Sequence, residues 1–434
     1  MKFYRITLIT TRTILTVIFL LSAAHAQSTA IAFDVNGLKV ILRPTQKETF
    51  SVSMFFRGGV MNYSPGQAGI EDLALAAAAS CGTKNYSVDD YKELADEYGI
   101  GIGGSSSVDY GTISMSCISK YFDQGWKLFS DAVVNPSFDK AEFQIIREKA
   151  ISDVYQSFSD PETRIDQMAM ESLFLGSPYS TNPEGTDKTL AGFNTDSVSK
   201  YYHNQLLNKN KMFLVVAGNI TKEELEKKIV ASFKDLPARP YTAPVYEQKI
   251  IEGEHLRTEQ RDIATNYMSC IMNAPVMNSP DYAPFLLVVN ALSGNLHYEL
   301  RTKQGLSYAP GANVNTQQRP YTSMFVSTTQ PKKSFQAMVG VFNSIRSGRI
   351  SQNFLEGVKQ DHKHKYYRHQ ESSGAIVKDL GEAEVLGGYQ IQENMLSNIN
   401  KVTLDDMANA FNKYAKGAIW LFLGDEQLGK AAFQ

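Results

Sequence analysis

The feature that most constrains this 434-residue chain is an internal repeat, because two similar halves must fold as two similar units. The β-rich run at 111–118 precedes an amphipathic helical pattern, and the run at 321–328 precedes a matching pattern about 210 residues later. The ends of the halves also match, since a capped helix precedes an apolar strand at 212–218 and again at 418–424. The repeat therefore predicts an α+β fold of two homologous domains, each with helices packed on one face of a mixed or antiparallel sheet.

The boundary between the two domains is predicted near Pro237 and Pro240, because prolines interrupt regular structure. We predict a first domain over residues 27–238 and a second over residues 239–434. A composition of 43% apolar and 20% charged residues is typical of a globular protein. A net charge of −2 argues against a nucleic-acid partner, which would require an excess of basic residues.

Residues 1–26 have the pattern of a secretory signal peptide. Basic residues without acidic ones precede an apolar stretch at 14–24, and Ala24 and Ala26 offer small residues where signal peptidase cleaves. The stretch is too short for a bilayer span, which needs about 20 residues. We expect cleavage after Ala26, export across the inner membrane to the periplasm, and no stable membrane anchor afterwards. An uncleaved anchor is the alternative.

The three cysteines, Cys81, Cys117 and Cys270, are widely separated along the chain. Three is too few for a disulfide framework, and the spacing does not match a cysteine-built zinc site. We predict that all three are small buried core residues.

Four short segments have a distinctive order and spacing. They are 56–70 with Phe-Arg-Gly-Gly and Gly-Gln-Ala-Gly, 177–186 with Ser-Pro-Tyr and Pro-Glu-Gly-Thr, 208–219 with Leu-Val-Val-Ala-Gly-Asn, and 300–308 with Leu-Arg-Thr-Lys-Gln-Gly-Leu-Ser-Tyr. Together they resemble the peptidase M16 family, which includes insulinase, pitrilysin and the mitochondrial processing peptidase. The resemblance covers roughly residues 30–430 and implies the duplicated fold of that family.

The zinc-binding motif of that family is missing. The resemblance implies His-x-x-Glu-His on the first helix, where two histidines bind zinc and the glutamate activates water. Counting forward from Gly69 places the motif at 72–76, and counting back from Gly82 places it at 73–77. Neither register contains a histidine or the glutamate, and the distal ligand would fall near Asp153. We therefore expect this chain to bind no family-type zinc and to hydrolyse nothing by itself.

The Arg301–Tyr308 pair of that family is present. The resemblance implies that these residues reach towards a zinc-bearing half, hold the substrate peptide and stabilise the oxyanion. A guanidinium and a phenol can both donate hydrogen bonds to a carbonyl oxygen that gains charge. The alternative is a surface arginine with a packed tyrosine.

A glycine-rich stretch at 99–107 matches, in that family, an edge strand that pairs with extended substrate. Glycine allows a second backbone to approach closely, which suits sequence-tolerant peptide binding. A glycine-rich bend without binding function is the alternative.

One histidine cluster could suggest a second metal site. His362, His364 and His369 lie close in sequence, but Lys363 and Lys365 between them disfavour a bound cation. We predict a solvated basic helix face here.

Three hypotheses for function follow. In the first, the chain is the zinc-less subunit of a heterodimeric M16-type metallopeptidase, in which a partner subunit binds the zinc and peptides are the substrates. In the second, it is a non-enzymatic peptide-binding or assembly scaffold. In the third, it is an autonomous metallopeptidase with a rearranged site.

Overall fold

The computed structural model describes residues 29–434, so the predicted signal peptide at 1–26 lies outside the described residues. Within residues 29–434, no helix is long and apolar enough to cross a membrane. The strands are β1 (Ile31–Val35), β2 (Leu38–Pro44), β3 (Thr49–Arg57), β4 (Gly101–Ser106), β5 (Tyr110–Ile118), β6 (Met212–Gly218), β7 (Glu254–Gln260), β8 (Asn266–Asn273), β9 (Gly311–Asn315), β10 (Tyr321–Thr328) and β11 (Ala418–Gly424).

The helices lie between and after these strands, often several in succession. They are α1 (Ile70–Ser80), α2 (Val88–Glu97), α3 (Phe122–Val134), α4 (Lys140–Ser159), α5 (Pro161–Leu173), α6 (Asp187–Ala191), α7 (Thr195–Tyr201), α8 (Lys222–Phe233), α9 (Tyr282–Leu296), α10 (Pro331–Arg346), α11 (Gln352–His369), α12 (Ser373–Val385), α13 (Gln390–Lys401), α14 (Leu404–Tyr414) and α15 (Glu426–Ala432).

The strands form two sheets that share a five-stranded topology. The first has the order β1-β2-β6-β3-β5-β4, and the second has the order β7-β11-β8-β10-β9. Each sheet contains one parallel pair, β2 with β6 and β7 with β11, and its other pairs are antiparallel. The predicted α+β fold of two homologous units is therefore confirmed. The second sheet contains no counterpart of β1 among the described residues.

The central strand β6 is apolar on both faces. Leu214 and Val216 point into the main core of the first half, whereas Phe213 points to the opposite face. Such strands need cover on both sides, because an exposed apolar face would remain in contact with water.

The second face of each sheet is covered by a helix from the other half. Helix α12 of the second half packs Ile376 and Leu380 near Phe55 and Phe213 of the first sheet. Helix α5 of the first half contacts β8 and β11 of the second sheet. The sequence predicted helices on one face of each sheet. The structure adds to this prediction a helix from the other half on the second face of each sheet.

Polar groups also join the two halves. The buried Asp109 carboxylate accepts hydrogen bonds from the Tyr179 hydroxyl (2.5 Å) and from the Gln318 backbone amide (2.9 Å). Burial raises the pKa of Asp109 to about 6. The chain passes from one sheet to the other through residues 236–252, which form no helix or strand and include the predicted boundary at Pro237.

The three cysteines are buried and free, as predicted. Cys81 and Cys117 belong to the core of the first half, and Cys270 belongs to the core of the second.

Candidate functional site

Helix α1 is the element on which the family motif would lie. Leu73, Leu75 and Ala77 are buried, whereas Asp72 and Ala76 lie on the partly exposed side of the helix. Positions four residues apart share a helix face, so a pair of ligands must occupy one face. The register counted from Gly69 therefore fits the structure, since it places the two ligand positions on the partly exposed face.

The residues present do not fit a zinc ion. Ala76 and Leu75 stand where a histidine and the glutamate would be required, and alkyl groups donate no electrons to a metal. Asp153 on α4 is exposed and pairs with Lys149 at 2.5 Å. Among residues 29–434, no three His, Cys, Asp or Glu side chains are grouped so that they could hold a metal ion.

Close packing occupies the inner side of α1. A Cβ atom at Gly104 of β4 would lie 2.0 Å from the Leu75 carbonyl oxygen, and one at Gly111 of β5 would lie 2.3 Å from a Leu75 methyl group. Glycine is therefore required at 104, where the obstacle is backbone, whereas a larger residue at 111 would require the Leu75 side chain to move. Leu75 fills the junction between the helix and the sheet with an apolar side chain.

A buried carboxylate lies at the start of the same helix, and the sequence analysis missed it. Glu71 accepts hydrogen bonds from Asn62 (2.8 Å), Tyr201 (2.8 Å) and Ser106 (3.3 Å). Burial raises the pKa of Glu71 to about 7, and Lys211 opposes this shift. Burial also lowers the pKa of Lys211 to about 8. The available signal was the acidic pair Glu71 and Asp72 at the start of a helix that is otherwise largely apolar, because an acid that is buried there must be paired.

Asp72 connects α1 to the neighbouring strand. Its carboxylate accepts a hydrogen bond from the Ser106 backbone amide at 2.7 Å. Burial raises the pKa of Asp72 to about 6. Asp72 therefore positions β4 against the helix, although it occupies a place that the family motif gives to a metal ligand.

Strand β4 is at the edge of the first sheet, as the family resemblance implied for the glycine-rich stretch. Beside it lies a shallow trough of about 670 Å³ on the face of β3, β5 and β4 that α12 only partly covers. Its floor is formed by small residues, namely Ser51, Ser53, Gly101, Gly103, Ser105, Thr112, Ser114 and Ser116. Small side chains leave room for a second chain next to the strand edge.

Arg301 and Tyr308 lie together on the surface of the second half. Helix α9 continues as a π-helical segment, His297–Lys303, which carries Arg301. The Arg301 guanidinium lies 4.2 Å from the centre of the Tyr308 ring, and Tyr308 is 77% exposed. Arg301 Nη1 also lies 3.4 Å from His297 Nε2. Tyr308 is therefore not a packed core tyrosine.

No carboxylate of the described residues forms an ion pair with Arg301. A stacked guanidinium keeps its N–H groups in the plane of the group, where they can donate to a ligand. The pair thus presents an exposed cation and an exposed phenol. Neither residue lies on α1, the helix that carries the buried carboxylates.

The histidine cluster does not form a site. His364 is exposed, and His369 Nδ1 lies 3.4 Å from an Asp379 oxygen. Burial and the nearby Lys365 lower the pKa of the half-buried His362. The exposed Lys363 and His364 agree with the predicted basic helix face.

Comparison with known families adds to this geometry. A family model described as Insulinase (Peptidase family M16) matches residues 39–186, and one described as Peptidase M16 inactive domain matches residues 193–361. Together the two matches span most of the chain. The chain belongs to the peptidase M16 family.

Relatives match this M16 protein over nearly its whole length. It is 22% identical to a Rickettsia bellii protein described as an uncharacterized zinc protease, over 91% of this chain and 97% of the relative. Its fold matches a protease from Helicobacter pylori with a TM-score of 0.84 at 16% identity, over 91% and 99% of the two chains. It also matches the peptidase M16 inactive domain from Pseudomonas fluorescens with a TM-score of 0.82 at 17% identity, over 92% and 98%.

A longer structure matches as well. The periplasmic protease PqqL from Escherichia coli has a TM-score of 0.76 at 12% identity, over 92% of this M16 protein and 46% of PqqL. At such low identities these structures establish the fold alone.

Proposed function

We propose that this protein is the zinc-less subunit of a heterodimeric M16-type metalloendopeptidase. In this proposal it binds peptide substrates and supplies Arg301 and Tyr308 to the active site of a zinc-bearing partner subunit. The observation that supports the proposal is the exposed Arg301–Tyr308 stack, which has no carboxylate partner among the described residues. The apolar α1 agrees with it, because a subunit of this kind needs no metal ligands of its own.

The chemistry of the pair suits a carbonyl oxygen that gains negative charge. A guanidinium offers N–H donors in a fixed plane, and a phenol adds one O–H donor. Stacking on Tyr308 restricts the orientation of Arg301 before a ligand arrives, which lowers the entropic cost of forming the hydrogen bonds. In the heterodimer these two residues bind and orient the peptide carbonyl, while the partner provides the zinc.

Strand β4 and its trough are the proposed contact for the peptide backbone. An extended peptide can add to a free sheet edge through main-chain hydrogen bonds, which do not depend on its side chains. The glycines and serines beside β4 leave space for the residues of the peptide. Such binding suits short or unfolded peptides of varied sequence.

The length of PqqL supports a two-subunit arrangement. This chain matches 46% of PqqL, so a second unit of comparable size is needed to equal the longer protease. A zinc-bearing M16 subunit would supply that unit. The signal-peptide pattern at 1–26 supports the periplasm as the location of the complex.

The test is co-purification from native periplasm with a C-terminal tag on this chain, followed by assay of a fluorogenic peptide with and without a chelator. We expect a homologous zinc-bearing partner and chelator-sensitive cleavage. In the complex, Arg301→Ala should lower turnover about 100-fold or more, because one donor to the oxyanion is lost, without dissociating the subunits. The matched control is Arg349→Ala, which removes another exposed arginine of the second half.

Normal turnover in the Arg301→Ala complex would contradict the proposal. A chain that purifies without a peptidase partner, yet still binds peptides, would favour the non-enzymatic scaffold. Zinc bound to the isolated chain together with peptidase activity would favour an autonomous enzyme.

A further inference from the structure

A groove of about 590 Å³ lies between α9 and α11 in the second half. These two helices occupy the positions that α1 and α4 hold in the first half, since each pair follows the equivalent strands in chain order. The groove is therefore the counterpart of the place where the first half would hold a metal. Its apolar walls include Phe354, Val358 and Pro310.

Two glycines keep this groove open. A Cβ atom at Gly357 of α11 would meet nothing within 4 Å, and one at Gly294 of α9 would meet only the Phe354 ring, at 3.9 Å. Neither glycine has a positive φ, so the backbone would accept a side chain at either position. Both glycines line the groove, so a side chain at either position would occupy part of it.

The groove opens next to the Arg301–Tyr308 pair. His297 lines it and also lies 3.4 Å from the Arg301 guanidinium. Pro310, which follows Tyr308 by two residues, lines the same side. A peptide held by Arg301 would therefore place a neighbouring side chain at the entrance of the groove.

The charges in the groove favour an uncharged occupant. Asp361 and Lys365 both line it, and they pair with each other at 2.7 Å. A carboxylate and an ammonium that neutralise each other leave no net charge for an ionised side chain to pair with. The remaining surface is rich in carbon, which suits a large apolar side chain.

We propose that this groove is a specificity subsite that binds a large apolar side chain, such as phenylalanine or leucine, of a peptide substrate. The proposal rests on the proposed function for the peptide contact at Arg301. It adds a substrate class, namely peptides that contain a large apolar residue next to the carbonyl held by Arg301. Residues Gly294 and Gly357 determine the specificity because they set the width of the groove.

The test uses the purified full chain and two fluorescein-labelled peptides, Gly-Ser-Gly-Phe-Gly-Ser and the same peptide with serine in place of phenylalanine. Fluorescence anisotropy should show about tenfold tighter binding of the phenylalanine peptide, since burying that ring is favourable. Gly357→Leu should fill the groove and bring the two affinities within twofold of each other. Its midpoint of urea unfolding should not fall, because leucine favours helix more than glycine does.

The matched control is Gly340→Leu, on the exposed side of α10, where a Cβ atom also meets nothing within 4 Å. This variant should keep the preference for the phenylalanine peptide. Equal binding of the two peptides by the unchanged protein would overturn the proposal, and so would a preference that survives Gly357→Leu. Failure of the proposed function is distinguishable, because it appears as normal turnover of the Arg301→Ala complex.

Discussion

Helices α1 and α9 hold equivalent positions in the two halves, yet their surroundings differ. Helix α1 is closed against its sheet by Leu75 and ends at Ser80. Helix α9 continues into a π-helical segment that presents Arg301, and it borders an open groove. The duplicated topology is thus compatible with a closed, apolar helix in one half and an open, polar helix end in the other. A few side chains, rather than the fold, decide which of the two helices is closed against its surroundings.

The difference also shows how a helix that lacks metal-binding side chains is accommodated in the fold. Polar metal ligands must stay accessible, whereas alanine and leucine gain by packing. In α1 the apolar residues pack tightly, and the remaining acids Glu71 and Asp72 are held by hydrogen bonds to neighbouring groups. In the second half, a Cβ atom at Gly294 or Gly357 would meet no atom closer than 3.9 Å, so the space beside these positions is not filled.

The largest effect is expected when α1 receives a glutamate at the position where the family motif requires one. Leu75→Glu places a carboxylate at a fully buried position near Glu71, so we expect the free energy of unfolding to fall by about 4 kcal/mol. Leu75→Met is the control, with an expected loss below about 1.5 kcal/mol. Urea denaturation measures both. Equal stability of the two variants would show that α1 is not closed.

The next effect concerns added bulk at the edge strand. Gly104→Val should lower the free energy of unfolding by about 3 kcal/mol, because its Cβ atom would overlap the Leu75 carbonyl oxygen. The control is Gly103→Val on the same strand, where a Cβ atom meets nothing within 4 Å. Urea denaturation compares the two variants. Similar losses in both would mean that the approach of β4 to α1 is not tight.

The pH dependence of stability should report on Glu71, the buried acid of α1. The pKa of Glu71 is raised from its ordinary value of 4.5 to about 7, so the folded protein binds this proton more tightly than the unfolded chain. The free energy of unfolding should therefore fall as the pH rises from about 4.5 to about 7. Glu71→Gln should reduce this fall by about 2 kcal/mol, measured by urea denaturation at pH 5 and pH 7.

Asp72 and Asp109 also have raised pKa values, and both remain in the variant. The difference therefore reports Glu71 together with Lys211, whose pKa the Glu71 carboxylate raises. Parallel pH profiles for the unchanged protein and Glu71→Gln would show that the Glu71 proton is not linked to folding.

The smallest effect is expected at Asp153, the residue nearest the position of the family's distal zinc ligand. Asp153→Ala removes an exposed ion pair with Lys149, so stability should change by less than about 0.5 kcal/mol. The zinc content of the purified chain, measured by mass spectrometry, should be unchanged. Lys149→Ala should have the same small effect on stability. Loss of bound zinc in Asp153→Ala alone would contradict the comparison of the two halves.

Much of the architecture could be predicted from local patterns. The repeat predicted two similar sheets, the family resemblance implied an edge strand at 99–107, and the scattered cysteines predicted buried thiols. The sequence did not show that α5 and α12 each cover the sheet of the other half. Amphipathic spacing shows that a helix buries one face, but it does not show which sheet that face contacts. The environment of Glu71 was missed for a similar reason, since its partners come from distant parts of the chain.

The sequence alone determined the family, the duplicated α+β fold and the loss of metal-ligand residue types from the first helix. These depend on residue identity and on spacing along the chain, both of which are local. The tertiary structure decided which register of α1 faces outward, that Arg301 stacks on Tyr308, and that a groove opens beside them. Those features depend on which distant segments of the chain meet. Packing between elements determines this, whereas the order of residues within one element does not.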